Sequence, residues 1–264
     1  MRRYMDIREK LEEIFQKKYN IFVAYHKPAV IFENEVMTPI HVGRDRLKNS
    51  QDEKLLDYIW LMDHMIGDNV SDNISFKNND YCELSAIYWI WKNMESEYTG
   101  LMHYRRVFSP DNSNEFPFGL DKATLDKLFS DCDLVLPNPL TVTEKSIYEQ
   151  FTNSHEKKHL DYALDYIDSK YPEMKQYTSG LKTNKKCYFW NMFIAKKELF
   201  DQYSKWLFEV LFELEDYITK NKQEYQPRLY GFISERLFNV YMQYIINEKG
   251  VKYKEIPVKF FSTL

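Results

Sequence analysis

The side chains best suited to chemistry in this 264-residue chain form one packet, His103-Tyr104-Arg105-Arg106, near the end of the aromatic-rich stretch 75–108. A guanidinium presents a fixed fork of donors, stays charged at any working pH and matches phosphate geometry. Two adjacent arginines therefore point to an anionic ligand. Within a strand they would project to opposite faces, so if both serve one ligand the chain must bend or leave the sheet there. The plainer reading pairs Arg105 and Arg106 with surface carboxylates, which abound in this chain and form weak exposed pairs. A second candidate group is Glu235, near the start of a helix read over Ser234–Tyr244, where the helix dipole favours an acid. Its plainer role is a cap paired with Arg228 or Arg236.

The elements that must position these groups follow from periodicity. Leu84, Ile87, Tyr88 and Trp91 recur at three- and four-residue steps, so 83–93 reads as a helix, with Asn78, Asn79 and Asp80 as N-cap candidates and Asn93 as its stop. Tyr98–Met102 reads as a short buried strand that delivers the packet at its carboxyl end. Ile21–Ala24 and Pro39–Gly43 read as two more strands, with Arg44 and Arg46 solvated after the second. A helix is expected over 121–129, and Asp131-Cys132-Asp133 heads a strand that runs to Pro137. Cys187–Ala195 reads as a buried strand interrupted by Asn191, whose amide must find partners there. A long amphipathic helix follows over 196–214, and a final strand over 252–258. In an open α/β sheet, ligands collect beyond the carboxyl ends of the strands. That makes the packet, and the polar loop Tyr25-His26-Lys27-Pro28 after the first strand, the places to look.

Composition narrows the classes. A net charge of −4 argues against a nucleic-acid binder, which should carry a basic field. Aromatics at 17%, with Tyr the commonest, suit a sugar or nucleotide site. Cys82, Cys132 and Cys187 lack C-x-x-C spacing, so neither a disulfide framework nor a zinc site is expected. His155 and His159 share an i, i+4 face without the glutamate of an H-E-x-x-H site. No Walker loop, G-x-G-x-x-G or kinase set is present. Residues 4–18 read as an amphipathic helix with Tyr4, Ile7, Leu11, Ile14 and Phe15 on one face. It packs on the domain or docks on a partner or the inner membrane leaflet through Arg2, Arg3, Lys17 and Lys18. No signal-peptide or membrane-span pattern appears, and the expected location is cytoplasmic.

Four blocks carry a resemblance: ELSAIYWIWKN, GLMHYRRVF, FWNMFIAKKELFDQYSKWLF and RLYGFISERLFNVYM. In this order, from about Ile21 to about Val258, they are similar to a bacterial family filed as a domain of unknown function. Its members sit among capsular and exopolysaccharide glycosyltransferases, and some are assigned galactofuranosyl transfer. The resemblance implies an α/β, GT-A-like single domain over 21–264, with a mostly parallel central sheet and helices on both faces, preceded by a helical extension over 1–20. It implies transfer, with inversion, from a nucleotide diphosphate donor, UDP-linked and with UDP-galactofuranose as one option. The acceptor would be a growing capsular polysaccharide, exopolysaccharide or O-antigen glycan, free or lipid-linked.

On that reading Glu235 is the first choice of base and Glu83 the second, because inversion needs a carboxylate within reach of the acceptor hydroxyl. Arg105, Arg106 and His103 would stabilise the departing diphosphate. His26, Lys27, Asp72, Asn73, Lys77, Asn78, Glu83 and Tyr104 are donor-binding candidates. Trp190, Asn191 and His155 are acceptor-side candidates. The metal-binding D-x-D of many such folds follows the strand that runs into the active site, the position held here by His103–Arg106. Arginines in place of acids imply that no metal is required. Asp131 and Asp133, with Mn2+ or Mg2+, are the alternative. The competing class is a non-catalytic glycan-binding or scaffold protein of a polysaccharide assembly complex.

Overall fold

The structure, a computed structural model, describes residues 12–47, 55–224 and 226–262. Its centre is a sheet in the order β10-β6-β9-β4-β1-β2-β3, with β5 and β11 continuing off β4. The strands are β1 Tyr19–Tyr25, β2 Met37–His41, β3 Ile66–Gly67, β4 Tyr98–His103, β5 Arg106–Phe108, β6 Leu134–Pro137, β9 Phe193–Lys196, β10 Tyr253–Ile256 and β11 Val258–Phe260. A separate ribbon pairs β7, Leu140–Thr141, with β8, Lys186–Cys187. β1 runs parallel to both β2 and β4, and β6 runs parallel to β10. β9 is antiparallel to its neighbours β4 and β6. Along the main path the other strands share one direction, so their carboxyl ends line a common edge.

Alternation along β1 explains the layers. Phe22 and Ala24 enter one core with the helices Leu84–Asn93, Lys157–Lys170, Lys197–Lys220 and Leu229–Glu248. Ile21, Val23 and Tyr25 enter the other core, under the helices Leu55–His64 and Lys122–Leu128. A sheet buried on both faces reads as a continuous apolar run, as Ile21–Ala24 does. Gly100 sits where β4 meets β9, and a Cβ there would strike the Phe193 carbonyl, so the central contact of the sheet admits only glycine.

The aromatic helix is buried more widely than one stripe. Ala86, Trp89 and Ile90 face the sheet, where Trp89 meets Phe22 edge-on at 5.8 Å. Tyr88 and Trp91 face the long helix and pack on Phe208 at 5.0 and 5.9 Å. Each such ring removed from water contributes on the order of 2 kcal/mol. Asn78–Tyr81 is a separate helical turn, Cys82 breaks the chain at φ 52°, and Glu83 rather than an Asn opens the helix.

Other expectations shift as well. The apolar run 187–195 is two strands, because Trp190 and Asn191 hold φ values of 70° and 52°. His155 and His159 do not share a helix face, since the chain breaks between Ile147–Thr152 and Lys157–Lys170. Arg44 is buried rather than solvated, and donates to the His41 ring and to the Leu61 and Met65 carbonyls. Of the expected N-terminal helix, residues 1–11 lie outside the described residues. Residues 12–15 are helical, Ile14 is buried in the core, and Asn20 donates to the Ile14 carbonyl at 3.0 Å. The end of that helix is thus joined directly to β1.

Candidate active site

A cleft of about 570 Å³ opens at the carboxyl edge of the sheet. Ala24 and His26 at the end of β1, Val42 after β2 and His103 closing β4 form its floor. One wall is the Asn78–Glu83 segment. The other is the start of the helix Leu229–Glu248, where Arg228, Phe232 and Glu235 follow at i, i+4 and i+7 and so share a face. The buried Asp68 ties the first wall to the sheet. It accepts from the Gly43 N–H at 2.7 Å, the Arg44 N–H at 3.2 Å, Ser75 at 2.5 Å and Ser85 at 2.6 Å.

The packet is split by a tight hairpin. β4 turns into β5 through Tyr104 and Arg105, which makes His103 and Arg106 a cross-strand pair, and such a pair points to one face. Both line the cleft. Tyr104 goes to the opposite face, buried and stacked on Tyr25 at 5.2 Å. Arg105 leaves the site, because as a turn residue it reaches the C-terminal carbonyls of Phe261 at 3.2 Å and Ser262 at 2.9 Å.

His103 donates from Nε2 to the Trp190 carbonyl at 2.7 Å, since a carbonyl only accepts. Burial pushes its pKa down to about 4, so the ring is neutral near pH 7 and brings no charge to an anion. The positive charge at the cleft comes instead from Arg106, Arg228 and Arg46. Arg106 lies over the Trp190 ring at 5.5 Å. Arg228 lies over Phe232 at 5.3 Å and touches Cys82 Sγ at 3.4 Å. Arg46 donates to the Asn78 amide oxygen at 2.9 Å. Among the described residues, none of the three has a carboxylate within ion-pair distance.

Two carboxylates complete the site. Glu83 accepts from Asn191 at 2.8 Å, and Asn191 also donates to Ser234 at 3.0 Å. Glu235 accepts from the Trp190 N–H at 2.9 Å and from Arg236 at 3.0 Å. Burial raises the pKa of both acids, and the charge of Glu83 raises that of Glu235 further. Cys82, Trp190 and Arg228 line the cleft and Asn191 braces it, all four at positive φ without being glycine. Strained backbone of this kind collects at functional sites.

The remaining expected site residues lie elsewhere. Lys27 is exposed and outside the cleft. Asp72 and Asn73 belong to a surface turn, where Asp72 accepts from Tyr88 at 3.2 Å. Lys77 points away to Glu215 at 2.6 Å. His155 reaches the neighbourhood indirectly, stacked at 4.3 Å on Phe232 and hydrogen-bonded to Gln226. Asp131 and Asp133 sit at the amino end of β6, the far edge of the sheet, paired with Lys254 and Lys196. Sequence reasoning missed Arg46, Cys82 and Phe232 and gave Arg228 only a pairing role. Arg228 and Phe232 lie inside the last resembling block and Cys82 directly precedes the first, whereas Arg46 carried no such signal.

Comparison with known proteins bears on the fold and the family. The apo structure of the bifunctional glycosyltransferase WbbM superimposes with a TM-score of 0.80 at 31% identity, over 93% of this chain and 45% of that one. The fold is therefore GT-A-like, and the chain spans less than half the length of the protein it matches. No curated protein matches. Residues 20–248 match the family described as a domain of unknown function, DUF4422, and at that coverage the chain belongs to it.

Proposed function

We propose that the cleft binds a nucleotide diphosphate sugar and transfers the sugar, with inversion, to a glycan acceptor. The observation that carries this reading is the set Arg46, Arg106 and Arg228, three guanidiniums without carboxylate partners, converging beside two half-buried acids. Guanidiniums placed where a diphosphate gains charge stabilise the transition state without reorganising. A carboxylate of raised pKa is poised to accept the acceptor proton. The likeness to part of a bifunctional glycosyltransferase supports the same class.

The donor is UDP-linked, with UDP-galactofuranose as the first to test. The acceptor is a growing capsular, exopolysaccharide or O-antigen glycan, free or lipid-linked. Among the described residues no helix is long and apolar enough to cross a membrane, and a lipid-linked acceptor would bring the protein to the inner membrane face. Arginine neutralisation makes a divalent ion dispensable. The engagement of Asp131 and Asp133 with lysines at the opposite edge supports that view.

The test is UDP release from a panel of UDP-hexoses, UDP-galactofuranose included, with product stereochemistry read by NMR. The expected result is turnover of one donor with inverted configuration. Glycan binding without UDP release from any donor would instead support the non-catalytic class.

A further inference from the structure

Resting on the transferase reading, we propose that Glu83 takes the acceptor proton while Glu235, held beside it, is a positioning group. This reverses the order expected from sequence, and hydrogen-bond geometry is the reason. Both oxygens of Glu235 are engaged, Oε1 by the Trp190 N–H at 2.9 Å and Oε2 by Arg236 at 3.0 Å. Arg236 cannot follow a moving charge. It is 2% exposed, held by the Phe232 carbonyl at 2.8 Å and the Gln150 side chain, and laid over the Phe151 ring at 5.2 Å. With both oxygens held by fixed donors, Glu235 has no free oxygen to offer an acceptor hydroxyl.

Glu83 is held by one side chain, besides its own backbone N–H. Asn191 donates to Oε1 at 2.8 Å, and among the described residues no neighbouring side chain hydrogen-bonds Oε2. Asn191 is fully buried, bonded to Ser234 at 3.0 Å and kept at φ 52°, so it aims the carboxylate rather than yielding to it. Arg106 of β5 and Arg228 of the C-terminal helix face Glu83 and favour its anion. Glu235 lies beside that anion, whose charge raises the Glu235 pKa. His103 of β4 is neutral, and Tyr203 of the long helix is buried and protonated. Burial outweighs the arginines, and the net result is a carboxylate more basic than usual.

In the step itself, the acceptor hydroxyl proton passes to Glu83 Oε2 while the hydroxyl oxygen bonds to the anomeric carbon. The bond from that carbon to the diphosphate oxygen breaks. Its electron pair stays on the diphosphate, beside Arg106 and Arg228.

The experiment uses the full chain and the UDP-sugar that the wild type cleaves, and follows kcat/KM against pH with UDP affinity measured in parallel. Glu83→Gln should lose at least about 100-fold in kcat/KM with UDP affinity retained. Asn191→Gly is chosen because glycine keeps the positive φ. It should move the acidic limb of the profile to higher pH, since the anion loses a donor. Glu235→Gln should keep an acidic limb, which Glu83→Gln should lose, because the limb belongs to Glu83. Wild-type turnover in Glu83→Gln would overturn the assignment, as would a limb that ignores Asn191→Gly but shifts in Glu83→Gln. A wild type that neither binds UDP nor releases it removes the transferase reading and this assignment with it.

Discussion

At the amino edge of the sheet Asp126, Asp131 and Asp133 meet Lys18, Lys254 and Lys196. At the carboxyl edge Arg46, Arg106 and Arg228 stand without carboxylate partners beside Glu83 and Glu235. The residue types are alike and the electrostatic outcome is opposite. Hydrogen bonds from their lysines hold the three aspartates below the usual carboxylate range, Asp126 at about 2. Burial lifts the two glutamates above it. Acids whose charge is already answered stabilise the fold, whereas charges kept apart around a cleft leave binding capacity for a ligand. Perturbed acids of the second kind are the ones that mark functional sites.

The contrast breaks most visibly through the arginines. Arg106→Ala or Arg228→Ala should weaken UDP binding by about 10- to 100-fold, the worth of a hydrogen bond to a charged group. Unchanged affinity in both would remove the diphosphate from this cleft.

A smaller effect concerns stability and its sign. Glu83 has a raised folded pKa, so its ionised form costs stability as pH rises through and above the unfolded carboxylate range, and that cost is absent below it. Glu83→Gln should therefore melt at a higher temperature than the wild type at pH 7, with the gain shrinking as pH falls toward 4.5. A lower melting temperature at pH 7, or a gain independent of pH, would show that the anion is better compensated than its surroundings imply. For the depressed aspartates the sign reverses, and their contribution is present above the unfolded range and lost as pH falls through their folded pKa values.

The smallest effect is at the amino edge. Asp131→Ala or Lys254→Ala should leave UDP affinity within about twofold of wild type, because an exposed pair is worth little and lies far from the cleft. A large loss in either would bring that edge back into the site.

Much of the fold was legible because burial on both faces leaves a plain pattern. The run in β1, the strand that delivers His103 and the helix after Glu83 all follow from apolar spacing. The site was legible only in part. His103 and Arg106 were visible as a packet, but their separation from Tyr104 and Arg105 depends on a hairpin that spacing alone does not reveal. Arg46 and Arg228 come from segments far apart in the chain and meet only through the sheet and the last helix. The positive φ values at Cys82, Trp190 and Arg228 fall on residue types that give no turn signal of their own. The same strain hid the break between β8 and β9, since an apolar run reads alike whether it is continuous or kinked.

Calorimetry of UDP binding to the wild-type chain, first in EDTA and then with added manganese or magnesium, tests the arginine-lined cleft most directly. Saturable binding in EDTA, little altered by the metal, is the predicted result. Binding that appears only with metal, or no binding in either condition, would contradict it.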